Sequence, residues 1–148
     1  MVRCKNKGFS PEKLVEQQVL AWAFENRWSL HVFDSKAIRR GDRMQSNPGI
    51  PVGCPDLLGN CPCGFAAYIE LKKHNADGVC RISQRNFLLQ KIDSNAFACV
   101  VDSPEKIEQL YEKWVALREI SWNVARDLLR KALPTKVIVN GKVISVAD

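Results

Sequence analysis

Residues 53–73 read GCPDLLGNCPCGFAAYIELKK, two apolar runs separated by Cys61-Pro62-Cys63-Gly64. Proline and glycine at that place suit a tight reversal, so the stretch reads as a β-hairpin with strands over 55–60 and 65–72. If Asp56 sits opposite Glu70, the turn centres on Cys63, where the turn-forming residues already stand. Side chains alternate faces along a strand, so Asp56, Glu70 and Lys72 then share one face and Leu57, Ala67, Ile69 and Leu71 share the other. The register that buries the apolar set therefore gathers two carboxylates and an ammonium. Directly paired residues lie roughly 5 Å apart, and Lys72 follows Glu70 roughly 7 Å along the strand.

Working outward, Ser10-Pro11-Glu12 is a helix-start signal: an N-cap hydroxyl, proline at the first helical position and a carboxylate in the first turn. A helix to about Asn26 follows, and residues 28–33 alternate enough for a strand. Residues 35–53 hold Gly41, Pro48, Gly49, Pro51 and Gly53, a composition that predicts a long mobile loop. On the other side of the hairpin, Ser83 is the expected cap of a second helix reaching about Ser94. Residues 97–101 form a short apolar strand, and Ser103-Pro104-Glu105 repeats the helix-start signal. The order α-β-β-β-α-β-α predicts an α/β sandwich with a central mixed sheet, the first helix on one face and the later helices on the other.

Past Arg118 the pattern changes. Residues 122–133 suit a basic amphipathic helix ending before Pro134, and residues 136–146 bracket Asn140-Gly141, the strongest short-range hairpin signal. The expected division is a core over 1–118 and an extension over 119–148. The extension offers Trp122, Leu128, Leu129, Val137, Ile138, Val139 and Ile144 as a surface between two copies of a homodimer.

The chain has 148 residues, 46% of them hydrophobic, enough for one ordinary core and short for two. A formal net charge of +6 and a pI near 9.1 favour a polyanionic partner, nucleic acid first. Half of that charge falls in 35–53, where Lys36, Arg39, Arg40 and Arg43 face only Asp42. Arginines beside glycine and proline, rather than spread over a helix, suggest phosphate contact. No signal-peptide pattern or run of roughly 20 apolar residues stands in the sequence, so a soluble cytoplasmic protein with no membrane partner is expected. Six cysteines at irregular spacing do not read as a disulfide framework. Cys54, Cys61, Cys63 and Cys80 offer four thiolates for zinc, but their spacing is not the paired C-x-x-C kind. His31 and His74 carry no assigned role, and the four tryptophans read as core.

Two carboxylates as close as Asp56 and Glu70 repel unless a cation lies between them. Magnesium, which keeps several waters and binds through one or two carboxylates plus phosphate, is the expected occupant, with manganese as a substitute. Such an ion polarises a phosphate oxygen and lowers the pKa of a water, while Lys72 orients that water or balances charge developing in the transition state. In the first helix Val15, Val19, Leu20, Trp22 and Ala23 define an apolar arc, and Glu16 falls inside it. A buried carboxylate there calls for a cation, an arginine or a metal. Glu12 lies near the same arc, but the helix dipole already explains it.

Pro55-Asp56, thirteen intervening residues and Glu70-Leu71-Lys72 resemble the motif of the PD-(D/E)XK nucleases, closest to the branch that holds the VRR-NUC domains and Holliday-junction resolvases. The resemblance covers roughly residues 11–118: a leading helix with a glutamate (Glu16), a glycine just before the Pro-Asp pair (Gly53, with Cys54 between), and Ser83-Gln84 opening the next helix. It implies a restriction-endonuclease-like three-layer sandwich and magnesium-dependent hydrolysis of DNA, structure-selective as in the resolvases. By this resemblance Asp56, Glu70 and the Leu71 carbonyl hold the metal, Glu16 holds or positions a second ion, Lys72 serves the water and Gln84 touches a metal water or DNA. Lys36, Arg39, Arg40, Arg43 and Lys73 are the DNA-contacting candidates. A sequence-specific or nicking duplex endonuclease, and a non-catalytic nucleic-acid-binding module, are the alternatives.

Overall fold

The structure is a computed structural model that describes residues 10–33, 38–40, 43–45, 52–74 and 78–146. Helix α1 spans Pro11–Glu25 and is capped as expected, with the Ser10 hydroxyl accepting from the Lys13 N–H at 3.3 Å. Strand β1 (Ser29–Val32) follows. Within the segment expected to be a loop, β2 (Ile38–Arg40) and β3 (Arg43–Gln45) pair antiparallel. Gly41-Asp42 between them is the kind of dipeptide that closes a short hairpin, a signal that the prolines further along obscure.

Strands β4 (Leu57–Asn60) and β5 (Ala66–Leu71) form the deciding hairpin, in register from Asn60 opposite Ala66 to Leu57 opposite Ile69. One more step sets Asp56 against Glu70. Leu57, Ala67, Ile69 and Leu71 are all buried, as the alternation requires. Next come β6 (Cys80–Arg81), α2 (Ile82–Asp93), β7 (Phe97–Val101) and α3 (Pro104–Arg118). Helix α2 begins one residue before the expected cap, because Gln84 rather than Ser83 closes its first turn: the Gln84 Oε1 accepts from the Arg81 N–H at 2.9 Å.

The main sheet is mixed, in the order β1-β4-β5-β7, with β5 and β7 parallel and α2 as the crossover between them. Ala67 partners Phe97, whose ring packs on Trp28, Tyr111 and Trp114 at 5.4–5.7 Å. Tyr68, one residue along and so on the opposite face, meets Phe87 of α2 at 5.7 Å. Helix α3 therefore covers one face and α2 the other. Trp22 of α1 stacks on Trp28, which puts α1 on the α3 side and not opposite all the later helices. The aromatic cluster decides this, since a single buried ring of that size dominates local packing.

Helix α4 (Trp122–Ala132) and strands β8 (Lys136–Val139) and β9 (Lys142–Ser145) complete the chain. Ala125, Leu129 and Leu133 belong to the same buried cluster as Val15, Leu57 and Phe97. Strand β8 pairs in parallel with β6, and Asn140 and Gly141 adopt φ of 49° and 76° at the β8–β9 turn, as a type I′ turn demands. Leu129 and Val137, two of the expected subunit-contact residues, are fully buried within this chain, whereas Val143 and Ile144 are exposed. Among the described residues no helix is long and apolar enough to cross a membrane.

Candidate active site

A cavity of about 370 Å³ opens where β5 ends, lined among others by Glu12, Asp56, Glu70, Leu71, Lys72, Arg81, Gln84 and Ile138. Each side chain arrives on a different element. Glu12 stands in the first turn of α1, Asp56 immediately before β4, Glu70 and Leu71 at the end of β5, and Lys72 directly after it. Gln84 comes from the first turn of α2 and Ile138 from β8.

Gly53 draws the Pro55-Asp56 loop onto α2. Its φ is +84°, and a Cβ there would lie 2.2 Å from the Ser83 carbonyl oxygen, so only glycine permits the approach. The loop then presents Asp56 to the strand beside it: the Leu71 N–H donates to Asp56 Oδ2 at 2.9 Å. The Asp56 N–H donates in turn to Glu70 Oε2 at 3.2 Å. Gln84 Nε2 donates to the other oxygen of Glu70 at 2.7 Å. Since Gln84 also accepts from Arg81, its amide is held at both ends and fixes the Glu70 carboxylate.

Both oxygens of Glu70 thus accept a hydrogen bond, while its charge is not balanced. Burial, and then the Asp56 carboxylate, push Glu70 up to about 8, and Lys72 offsets this only in part with its Nζ 3.8 Å from Glu70 Oε1. At neutral pH the protein's own groups therefore favour a proton on Glu70, and a cation between the two acids reverses that preference. The available donors are two carboxylates and the carbonyl chemistry of a strand end, facing an open polar cavity. Among the described residues no three His, Cys, Asp or Glu side chains converge as a closed cage. An oxygen set of this size fits magnesium, which keeps its waters and takes phosphate as a further ligand.

No protein-family model, curated protein or solved structure matches the chain. The residues themselves must carry the functional reading.

Asp56, Glu70, Leu71, Lys72 and Gln84 are brought together as the sequence suggested. Glu16 is not among the cavity-lining residues: its carboxylate pairs with Lys13 on its own helix, so the cation that burial there calls for is a lysine. Glu12, one turn earlier on the same side of α1, lines the cavity instead. The helix dipole accounts for a carboxylate at Glu12 whatever the first turn points at, so it hides this placement. Lys73 is exposed beside the cavity but does not line it. Lys36 lies outside the described residues, and for Arg39, Arg40 and Arg43 only the β2–β3 backbone pairing is described. Arg81 and Ile138 were missed as site residues. The β6–β8 pairing that delivers Ile138 joins distant segments, and no local pattern signals it. The four cysteines weighed for zinc separate, Cys54 and Cys80 lining the cavity and Cys61 and Cys63 standing at the far turn of the hairpin.

Proposed function

We propose that the protein is a magnesium-dependent endodeoxyribonuclease. The observation that carries this reading is the opposition of Asp56 and Glu70, with the Glu70 carboxylate tied by hydrogen bonds to the Asp56 N–H and to Gln84 and flanked by Lys72, in an open cavity of a basic protein. A mixed sheet with α1 and α3 on one face and α2 on the other also supports the restriction-endonuclease-like sandwich.

Asp56, Glu70 and the Leu71 carbonyl would hold the ion, which when bound supplies Lewis-acid polarisation of the scissile phosphate. Gln84 keeps the Glu70 carboxylate from rotating away, so that the ligand set needs little reorganisation. Lys72, only partly exposed, orients the attacking water or balances the charge that develops on the phosphate. Glu12 stands where it can order a water or a second ion at the cavity mouth. Lys36, Arg39, Arg40, Arg43 and Lys73 supply phosphate contacts along the DNA, outside the reacting centre.

The test is a panel of end-labelled DNAs, comprising linear duplex, nicked duplex, flap and four-way junction, incubated with magnesium, manganese or chelator. Metal-dependent cleavage leaving a 5′-phosphate is expected, fastest on the branched substrates. Binding without any cleavage under either metal would leave a nucleic-acid-binding module and overturn the enzyme. Equal rates on duplex and junction would keep the enzyme and remove the structure selectivity. Replacing Arg39, Arg40 and Arg43 by alanine should flatten the salt dependence of binding by about 0.9 in logarithmic slope for each DNA phosphate that is no longer neutralised.

A further inference from the structure

At the turn of the β4–β5 hairpin, roughly 16 Å along the strands from the carboxylates, Cys61 and Cys63 bring their sulfurs to 3.1 Å from one another. We propose that these two cysteines form a thiol–disulfide exchange site whose substrate is a small soluble disulfide that reaches the exposed member of the pair.

The two thiols are placed unequally. Cys63 is exposed at the tip, and Cys61 is buried, with only 3% of its surface accessible. The Cys61 sulfur lies 3.1 Å from both the Phe65 carbonyl oxygen and the Cys63 sulfur, so its one S–H is shared between the two. On the other side of Cys63 stands Arg118, whose Nη1 is 3.6 Å from the sulfur. Its guanidinium lies 4.5 Å from the Phe65 ring centroid, 4.3 Å from Trp114 and 5.5 Å from Trp122. Three aromatic faces hold this cation in place, and its buried Nε has no hydrogen-bond partner among the described residues. An arginine so placed favours an anion beside it, and the sulfur of Cys63 is the group it reaches.

The titration of the pair agrees with the geometry. Partial burial pushes the Cys63 thiol up, but hydrogen bonds from Tyr111, the Phe65 backbone, Cys61 and Arg118 outweigh it and bring it down to about 7. Burial first, then the hydrogen bond and charge of Cys63, push Cys61 up to about 12. Cys63 is accordingly the attacking sulfur and Cys61 the resolving one. Two of the three influences holding Cys61 up come from the Cys63 sulfur and vanish once that sulfur is in a disulfide.

In the first step the Cys63 thiolate attacks one sulfur of the small disulfide, whose S–S bond breaks and releases one thiolate. In the second, Cys61 gives up its proton and attacks the Cys63 sulfur, expelling the second thiolate and closing the Cys61–Cys63 bond. Two electrons pass from the protein to the substrate, and the two released thiolates end as two thiols, one taking the proton of Cys61 and the other a proton from solvent.

The test treats the reduced full-length protein with oxidised glutathione, followed by intact mass and peptide mapping. The proposal requires a loss of two hydrogens, mapped to a Cys61–Cys63 bond. In Cys61→Ser, or Cys61→Ala should the serine variant fold poorly, one glutathione should remain attached to Cys63. In Cys63→Ser, Cys61 should stay unmodified. At pH 7 Cys63 should react at least about fivefold faster than Cys54, whose thiol burial pushes up, once the lower nucleophilicity of a more acidic thiolate is allowed for. A wild-type protein that keeps glutathione on Cys63, or a Cys63 no faster than Cys54, would overturn the site.

Discussion

At its open end the β4–β5 hairpin sets Glu70 against Asp56, with Lys72 3.8 Å away as the near cation. At its closed end, five residue pairs along, Cys63 meets an arginine held over three aromatic rings. Both ends pair two acidic groups across one turn or register step, and in both one member titrates up because of burial first and its neighbour second. They differ in where the counter-charge comes from. Arg118 is part of the fold and, with the Tyr111 side chain and the Phe65 backbone, favours the Cys63 thiolate without any ligand. At the carboxylate end the built-in cation is too weak to hold Glu70 ionised, so the charge balance is left to something that binds. The thiol pair thus has its counter-charge within hydrogen-bonding reach, whereas Lys72 offsets the burial of Glu70 only in part, which is what the proposed metal would complete.

The sharpest way to break the contrast is to remove one acid. Asp56→Asn or Glu70→Gln should lower magnesium-dependent cleavage by about a thousandfold or more, the several kcal/mol that a positioned metal contributes. Cys63→Ser at the other end should leave cleavage unchanged. Single-turnover rates on labelled DNA check both, and full activity in either acid variant would remove the carboxylates from the chemistry.

Gly53→Ala tests whether the loop must lie on α2. The added Cβ meets backbone at 2.2 Å in a left-handed conformation, so a loss of about 2 to 4 kcal/mol is expected in urea denaturation. Cleavage should fall with it, because the displaced loop carries Asp56 away from Glu70 and Leu71.

The two acids of α1 give a smaller effect. Glu12→Gln should slow cleavage about tenfold, as loss of a group that orders water or a second ion, while Glu16→Gln should change it by less than about twofold. Equal losses would mean that α1 is rotated relative to the cavity.

Last is the pH dependence of the metal-free protein. Glu70 is raised in the folded state from 4.5 to about 8, so its contribution to stability is complete below about 4.5 and is lost as pH rises to about 8. Urea midpoints measured in chelator should fall across that window, and Glu70→Gln should flatten the fall. Saturating magnesium should flatten it too, since a bound cation favours the ionised acid. An identical slope in Glu70→Gln would place the titration elsewhere.

Much of this was legible in the chain. The hairpin register, the shared face of Asp56, Glu70 and Lys72, the caps Ser10 and Ser103, and the Asn140-Gly141 turn rest on period-two alternation and local turn chemistry, which act over a few residues. Other features were not. Leu129 and Val137 read as a spare apolar surface because amphipathicity shows that a face will be buried without showing against what.

What the sequence by itself determined was the pairing of two acids across one hairpin, since the turn residues Pro62, Cys63 and Gly64 and the burial of Leu57, Ala67, Ile69 and Leu71 together select this register. Only the tertiary structure decided which carboxylate of α1 lines the cavity with them. Glu12 and Glu16 share a side of the helix, and the choice depends on where its first turn meets the strand ends. Tertiary structure also decided that Arg81 and Ile138 wall the cavity. That wall exists because β8 returns to pair with β6 while Arg85 donates at 3.0 Å to the Pro134 carbonyl, 49 residues on. Contacts across such separations follow from how the whole core packs, and no stretch of sequence contains them.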